Sequence, residues 1–214
     1  MAPGKLLSNN YLEGVFIMSG VITVHRDDKA ESVELTATTT GLDLFGEDRA
    51  VVAMHVNGET LDLQRELHDG DDVEPVFIDS PEGLSILRHS AGHVTAQALQ
   101  DVFTEAKLGI GPPITDGYYY DFQCDPLTPE DLKRVEKRMQ QIVKAKQRFV
   151  RREVSDDEAR EELASEPFKL ELIADKGSAG DQDGASVEVG AGQLTIYDNL
   201  NRDGSVAWKD LCRG

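Results

Sequence analysis

The stretch Asp79–Ala106, DSPEGLSILRHSAGHVTAQALQDVFTEA, marks where the pattern of the chain changes. Ser80 suits the N-cap of a helix, and Pro81 suits its first turn because proline has no backbone N–H to lose there. Apolar residues then recur at helical spacing, at Leu84, Leu87, Val94, Ala98 and Val102. We therefore predict a helix that begins near residue 80 and a domain boundary between residues 79 and 80.

Upstream of this boundary, residues 20–79 alternate in the manner of β-strands. Ile22 and Val24 fall on one face of the first run. Asn57 and Gly58 lie between two alternating segments, which is the pattern of a two-residue hairpin. We expect a small, mostly β domain whose twisted sheet carries one helix. The region also holds three isolated histidines for which we expect no role in a site: His25, His55 and His68.

Downstream, the mixture of helical and strand patterns in residues 80–214 predicts an α+β domain. The run over residues 127–154, LTPEDLKRVEKRMQQIVKAKQRFVRREV, begins with Thr128 as N-cap and predicts one long helix. Further elements are predicted along the chain: an aromatic strand within residues 110–122, a short helix at 155–164, a flexible loop at 175–192, and closing strands at 193–200 and 205–212. We expect the helix that begins near residue 80 to pack against a mostly antiparallel sheet.

Composition narrows the classes of protein that remain. The 214 residues include two cysteines, too few for a disulfide framework, so a reducing cytoplasm is expected. No apolar run is long enough to span a membrane, and residues 1–19 are expected to be a loose leader. The net charge of −18 opposes binding to nucleic acid. Between Lys133 and Arg152, however, nine basic residues stand against one acid, which suits either a solvated helix face or contact with phosphates.

His89 and His93 are the candidate site residues on the predicted helix. Their spacing places both imidazoles on one face, one turn apart, where they can converge on a metal or a water. The spacing alone favours the other interpretation, which is two polar residues on a half-exposed helix. The metalloprotease motif is excluded, because Ser90 stands where that motif needs a glutamate. Cys212 adds a third ligand and permits a zinc site with one open position. From the residues alone, however, a buried structural thiol is the favoured interpretation of Cys212. We interpret Cys124 as structural.

Several motifs taken together resemble one family. LRHSAGHV (residues 87–94), IGPPITDGYYYDF (110–122), LTPEDLKRVEKRM (127–139) and WKDLCRG (208–214) resemble the editing domain of bacterial-type threonyl-tRNA synthetase. Alanyl-tRNA synthetase shares the histidine–cysteine frame of this editing domain. The threonyl enzyme is favoured because VNGETLDLQRELHDGDDVE (56–74) resembles its ubiquitin-like TGS module.

The resemblance implies a fold and a domain division. It implies an α+β chain with a leader at residues 1–19, a β-grasp TGS domain at 20–79 and an α+β editing domain at 80–214. The family pattern continues with Pro-His after Cys-Arg-Gly, whereas this sequence ends at Gly214. We therefore expect a fragment that ends short of one site residue and lacks the aminoacylation and anticodon-binding domains.

The resemblance also implies that the site hydrolyses seryl-tRNA(Thr). His89 and His93 would order a water, and Lys169 would place a positive charge near the attacked carbonyl. Cys212 would act in the same site and help to shape the wall that separates serine from threonine. No cofactor is required by this chemistry, and zinc at the two histidines and the cysteine is the less favoured alternative.

Substrate contacts are implied in the same way. Tyr120 would line the pocket, and Asp210 would bind the amine or hydroxyl of the seryl group. Without the resemblance, Lys169 is an ordinary solvated strand residue, Tyr120 a core residue and Asp210 a surface acid. Contact with the tRNA acceptor stem is assigned to six cations: Lys133, Arg134, Lys137, Arg138, Lys144 and Lys146.

The implied partners are tRNA(Thr) carrying serine and the remaining domains of a full-length synthetase, with a homodimer left open and no membrane. Two other classes of function remain as alternatives. The chain can be a non-catalytic module that binds RNA or another protein, or a domain whose fold depends on zinc.

Overall fold

The computed structural model describes residues 20–26, 29–36, 38–175 and 193–212. The predicted leader at residues 1–19 and the predicted loop, apart from its first residue, lie outside the described residues. The chain divides into two compact units between Leu84 and Ser85. Among the described residues, no helix combines the length and the apolar character that a membrane crossing requires.

The first unit is built on a five-stranded sheet. Its elements are β1 (Val21–Arg26), β2 (Lys29–Glu34), α1 (Gly41–Phe45), β3 (Val51–Val56), β4 (Glu59–Leu61) and β5 (Asp72–Phe77). The strand order is β2-β1-β5-β3-β4, and the central pair β1 and β5 is parallel while the other pairs are antiparallel. This order is that of the predicted β-grasp sheet, so the α+β class is confirmed.

Local sequence signals explain the first unit. Ile22 and Val24 are buried in the core, as their alternation predicted. Asn57 and Gly58 both have positive φ, 54° and 84°, and join β3 to β4 in a hairpin. Of the three isolated histidines, His25 lies on β1 beside Asp72, His55 lies on β3 beside Glu82, and His68 is exposed.

In its described residues, the second unit combines four helices with three small sheets. The long elements are α2 (Pro81–Val102), α3 (Pro129–Ala145), β10 (Arg148–Val154), α4 (Asp156–Glu162), α5 (Pro167–Ala174), β11 (Leu194–Leu200) and β12 (Val206–Leu211). Four two-residue strands form two hairpin-like pairs: β6 (Lys107–Leu108) with β9 (Phe122–Gln123), and β7 (Pro113–Ile114) with β8 (Gly117–Tyr118). The expected aromatic strand is therefore present only as these short pieces.

The helix starts follow the predicted caps. Ser80 Oγ accepts a hydrogen bond from the backbone N–H of Gly83 at 3.0 Å in the first turn of α2. Thr128 caps α3 and Ser155 caps α4, and each forms a capping box with the acid three residues later. These signals are local in sequence, which is why they predict the structure well.

The predicted long helix at residues 127–154 is wrong beyond Ala145. α3 ends there, Lys146 takes a left-handed conformation with φ of 53°, and the chain continues as β10. Lysine and arginine are good helix formers, so the composition gives no stop signal. β10 pairs along its whole length with β11, which lies some 45 residues later in the sequence. That pairing is a tertiary contact that the local pattern does not contain.

The three-stranded antiparallel sheet β10-β11-β12 positions the candidate site. Side chains of a strand alternate between its faces, so each face carries every second residue. One face packs Leu194, Ile196 and Leu211 into a core with α4 and α5. The opposite face, which we call the site face, carries two rows of directly paired residues, Phe149–Asn199–Trp208 and Arg151–Tyr197–Asp210.

Candidate active site

The histidine pair and the cysteine converge. The ring centroids of His89 and His93 lie 5.1 Å apart and the rings are tilted by 46°. Cys212 Sγ lies 3.1 Å from His89 Nε2, within hydrogen-bonding distance. One nitrogen of each histidine and the sulfur all lie within 4.8 Å of one another. The structure therefore brings together three residues that are 123 positions apart at the widest.

His93 is held by aromatic side chains from all three strands. Its side chain is 5% exposed. The rings of Phe149, Tyr197 and Trp208 meet it edge-on at centroid distances of 5.9, 6.1 and 5.7 Å. Edge-to-face contacts at such distances are favourable and directional. The imidazole therefore has a fixed position over the site face.

Polar contacts join α2 to the same face. Asn199 Nδ2 donates to Gln97 Oε1 at 2.8 Å, and Trp208 Nε1 donates to Gln100 Oε1 at 2.6 Å. Gln97 and Gln100 follow His93 at i+4 and i+7, so they share its side of the helix. Sequence reasoning missed these two glutamines, although their spacing from His93 was readable.

Lys169, Asp210 and Tyr120 form a second cluster. Lys169 and Asp210 are 0% and 1% exposed, and Lys169 Nζ lies 3.0 Å from Asp210 Oδ1. Tyr120 Oη donates to Asp210 Oδ2 at 2.5 Å, and the ammonium lies 5.6 Å from the Tyr120 ring centroid. Both carboxylate oxygens of Asp210 are therefore engaged inside the protein. Lys169 lies on helix α5 and is buried, so its reading as a solvated strand residue is wrong.

The strand β12 explains why the two clusters are neighbours. Trp208, Asp210 and Cys212 stand at i, i+2 and i+4, so their side chains share one face. Cys212 continues the pairing beyond the strand, since its backbone N–H donates to the carbonyl of Thr195 at 3.1 Å. One short segment thus supplies a contact for His93, the counter-charge of Lys169 and the thiol beside His89.

Gly111 allows the backbone to lie close to the ring of Tyr120. A Cβ on Gly111 would lie 2.2 Å from Cδ2 of Tyr120, far closer than two carbon atoms can approach. A side chain at this position would therefore displace the Tyr120 ring, whose hydroxyl donates to Asp210. Gly111 is therefore a positioning residue that the sequence analysis did not single out.

The predicted tRNA-binding cations divide into two groups. Arg134 pairs with Asp131 at 3.0 Å and Arg138 with Asp101 at 2.7 Å, so both already have an acidic partner. The other four cations are exposed on α3 or at its end: Lys133, Lys137, Lys144 and Lys146. These four remain the candidates for contact with phosphates.

An ion-pair network lies on the face of the sheet opposite the site. Arg152 bonds to Asp198 at 2.5 Å and to Glu162 at 2.9 Å, and Lys209 bonds to Glu162 at 2.6 Å. The hydrogen bonds from Arg152 and then Lys209 lower the pKa of Glu162 to about 2. Asp198 and Glu162 raise the pKa of the Arg152 guanidinium. These contacts join α4 to the sheet and have a structural role.

The donor set at the histidine pair is compatible with zinc in type. Two imidazoles and a thiolate are common zinc ligands, and they would leave one position open. In tetrahedral zinc sites, sulfur and nitrogen ligands stand about 3.5 Å apart. The Cys212–His89 distance of 3.1 Å is shorter than this and is that of a direct hydrogen bond. Zinc at these three residues stays the less favoured prediction.

Comparison with known proteins identifies relatives of this chain. No family model matches it. It is 62% identical over 198 residues to the threonine–tRNA ligase of Cutibacterium acnes, covering 92% of this chain and 29% of that protein. Identity is 60% over 195 residues to the ligase of Streptomyces avermitilis, with 90% and 30% covered. It is 62% over 187 residues to that of Thermobifida fusca, with 86% and 28% covered.

The chain spans about 30% of the length of these curated relatives. The resemblance to threonyl-tRNA synthetase is thereby confirmed for that share of the enzyme, and the match is consistent with its N-terminal region. The chain is related to a tRNA synthetase, although the matched region covers less than a third of each relative.

Proposed function

We propose that this chain, a relative of one part of threonine–tRNA ligase, hydrolyses seryl-tRNA(Thr) to serine and free tRNA. The observation that carries the proposal is the convergence of His89, His93 and Cys212. His93 packs against the site face of the sheet, which also carries Asp210, the partner of the buried Lys169. Such an arrangement offers imidazoles to order a water and a fixed positive charge beside it, which ester hydrolysis requires.

The need for such a site follows from the substrates of a threonine-specific enzyme. Serine lacks only one methyl group of threonine, and lost contacts of that size discriminate by about 1–3 kcal/mol. A second site that hydrolyses the wrong ester restores fidelity, provided that it excludes threonine. Tyr120 and Cys212 are the residues that we assign to the wall that rejects the extra methyl group.

In the proposed reaction, a water held by His89 and His93 attacks the carbonyl carbon of the seryl ester. The bond to the ribose 3′ oxygen breaks, the ribose hydroxyl recovers a proton that originates from the water, and serine leaves as the acid. The neighbouring hydroxyl of the terminal adenosine assists the proton transfer. Lys169 supplies a positive potential that stabilises the developing oxyanion from within the protein.

Asp210 has a second part in this scheme, in addition to the one that the resemblance implied. Its Oδ2 accepts a hydrogen bond from Tyr120 and its Oδ1 forms an ion pair with Lys169, so its first task is to hold those two side chains. A direct contact with the seryl amine would add a third partner to a carboxylate that can accept more than two hydrogen bonds. We therefore retain Asp210 as a substrate-binding candidate that acts together with the cluster.

The proposed partners are the acceptor end of tRNA(Thr) and the further domains of the synthetase, in the cytoplasm. The four exposed lysines on α3 and at its end supply cations for phosphate contacts that position the substrate without reading its sequence. The alternative function is a module that binds RNA without catalysis. These exposed lysines support it as well, since a basic helix face also suits such a module.

A deacylation assay tests the proposal. The chain is incubated with seryl-tRNA(Thr) and, separately, with threonyl-tRNA(Thr). We expect serine release well above the uncatalysed rate and little threonine release. His93→Ala should lower the rate at least tenfold, because general acid–base groups contribute about 10²–10⁴. His68→Ala, at an exposed position in the first unit, is the matched control and should retain the parent rate.

The alternatives predict other outcomes. Binding of tRNA without release of either amino acid would support the non-catalytic module and contradict hydrolysis. Equal release of serine and threonine would contradict the proposed selectivity. If chelator treatment removed bound zinc and unfolded the chain, the zinc-dependent domain would be supported instead.

A further inference from the structure

Arg151 is a cation on the site face that the proposed chemistry leaves unused. In the sheet it pairs directly with Tyr197 of β11, which in turn pairs with Asp210 of β12. Directly paired residues of adjacent strands project on the same side. The three side chains therefore form one row across the site face, with Arg151 at one end and the Lys169 counter-ion at the other.

The neighbours of Arg151 place it beside the catalytic histidine. Tyr197 lies 6.1 Å from His93, ring centroid to ring centroid. Phe149 precedes Arg151 by two residues on the same face of β10 and lies 5.9 Å from His93. Arg151 thus shares the site face with two of the rings that contact His93, since it pairs with Tyr197 and follows Phe149 at i+2.

Arg151 forms an ion pair with Glu153, and this pair leaves the guanidinium available to a ligand. Its NH1 group donates to Glu153 at 3.0 Å, and the two side chains are 25% and 47% exposed. A single ion pair at such exposure stabilises a protein by about 0–1 kcal/mol. Arg152 differs, since it bonds to Asp198 and Glu162 on the opposite face. Of these two adjacent arginines, Arg151 is the one that can exchange its partner.

We propose that Arg151 binds the 5′-phosphate of the terminal adenosine of the tRNA while the seryl ester occupies the candidate active site. The inference rests on the proposed function. In that nucleotide only C3′, C4′, C5′ and O5′ separate the ester oxygen from the phosphorus. The phosphate must therefore lie one ribose away from the attacked carbonyl. Adjacent strands are about 4.8 Å apart, which puts the Arg151 backbone about 10 Å from that of Asp210.

The chemistry of arginine suits this ligand. Its guanidinium forms a planar fork that bonds to two oxygens of a phosphate, whereas Glu153 is now bonded through one nitrogen. A phosphate contact fixes the register of a nucleic acid without reading its bases. Arg151 is therefore a substrate-binding residue whose loss should weaken binding and leave the hydrolytic step unchanged.

Calorimetric titration with two non-hydrolysable analogues tests the assignment. The probes are 3′-seryl-amino-3′-deoxyadenosine and the same compound with a 5′-phosphate. We expect the phosphate to strengthen binding to the unsubstituted chain about tenfold, as charge-assisted hydrogen bonds do. Arg151→Gln should abolish that gain, and Arg151→Lys should keep part of it. Arg160→Gln, which removes an exposed cation on α4 in the opposite layer, should keep all of it.

The outcomes separate this inference from the proposed function. If the nucleoside binds but the phosphate gives no gain, or if the gain survives in Arg151→Gln, the role of Arg151 is overturned and hydrolysis is untouched. If neither analogue binds, both proposals fall. In the deacylation assay, Arg151→Gln should raise KM about tenfold at unchanged kcat. A fall in kcat alone would contradict a binding role. The fluorescence of Trp208 verifies that each variant is folded.

Discussion

Lys169 and Asp210 form a buried ion pair in which the loss of either side chain affects the other. Both side chains are withdrawn from water, and their charges lie 3.0 Å apart. A buried ion pair adds little net stability because desolvation opposes the attraction, yet the loss of one partner is costly. The pair therefore fixes the position of a positive charge more than it stabilises the fold.

We predict that Asp210→Asn lowers the free energy of unfolding of the second unit by about 3 kcal/mol. The ammonium of Lys169 would lose the carboxylate beside it while it remains buried. Urea unfolding monitored by Trp208 fluorescence measures the change, because this tryptophan is the only one in the chain. Asp116→Asn, at an exposed position, is the control and should have little effect. Equal midpoints for the two variants would contradict the prediction.

At the scale of elements, the sheet serves two purposes through its two faces. The site face carries the aromatic and polar residues that meet α2. The other face carries the apolar core and the network of Arg152, Glu162 and Lys209 that fastens α4. Alternating residues of the same strands therefore contribute to the packed core on one face and to the candidate site on the other.

The network predicts a pH dependence of stability. The folded pKa of Glu162 is about 2, below its ordinary value of 4.5. Its contribution is therefore fully present above pH 4.5 and is lost as the pH falls from 4.5 towards 2. We expect Glu162→Gln to cost roughly 2 kcal/mol at pH 7, with allowance for partial exposure. That cost should shrink as the pH falls below 4.5.

Urea unfolding of the parent and of Glu162→Gln between pH 3 and pH 7, followed by Trp208 fluorescence, measures this difference. Glu161→Gln removes a neighbouring exposed carboxylate from the same helix and serves as the control. A stability difference between parent and Glu162→Gln that stays constant over this range would show that the network does not lower the pKa of Glu162.

At the scale of the whole molecule, the distribution of charge matters more for binding of nucleic acid than the net charge. The net charge is −18, yet α3 presents exposed lysines at positions 133, 137 and 144. These three positions are separated by four and seven residues, so they lie on one side of the helix. A negatively charged protein can still approach a phosphate backbone if one face carries such a local positive potential.

We predict that Lys133→Gln, Lys137→Gln and Lys144→Gln together weaken binding of tRNA and make it less dependent on salt. Each lysine that contacts a phosphate should reduce the slope of log K against log salt by about one. Fluorescence anisotropy with labelled tRNA(Thr) over a range of NaCl concentrations measures the slope. The control replaces three exposed cations of the first unit, Lys29, Arg49 and Arg65, with glutamine. An equal loss in both triple variants would contradict a specific role of α3.

Much of the fold was open to prediction from local patterns. The start of α2 at Ser80, the caps at Thr128 and Ser155 and the hairpin at Asn57 were confirmed because each depends on a few adjacent residues. The end of α3 was missed because β10 is fixed by pairing with the distant β11. The histidine pair was also visible as a spacing, and its possible thiol partner as a residue type.

By itself, the sequence therefore determined the elements that have strong local signals. It also determined which side chains are present that can bind or catalyse. Only the tertiary structure decided which of those side chains meet. Burial of Lys169, the engagement of both Asp210 oxygens and the placement of Arg151 on the face opposite to Arg152 all depend on strand register and packing. Contacts of this kind join residues far apart in the chain, and their free energy depends on neighbours that no local pattern specifies.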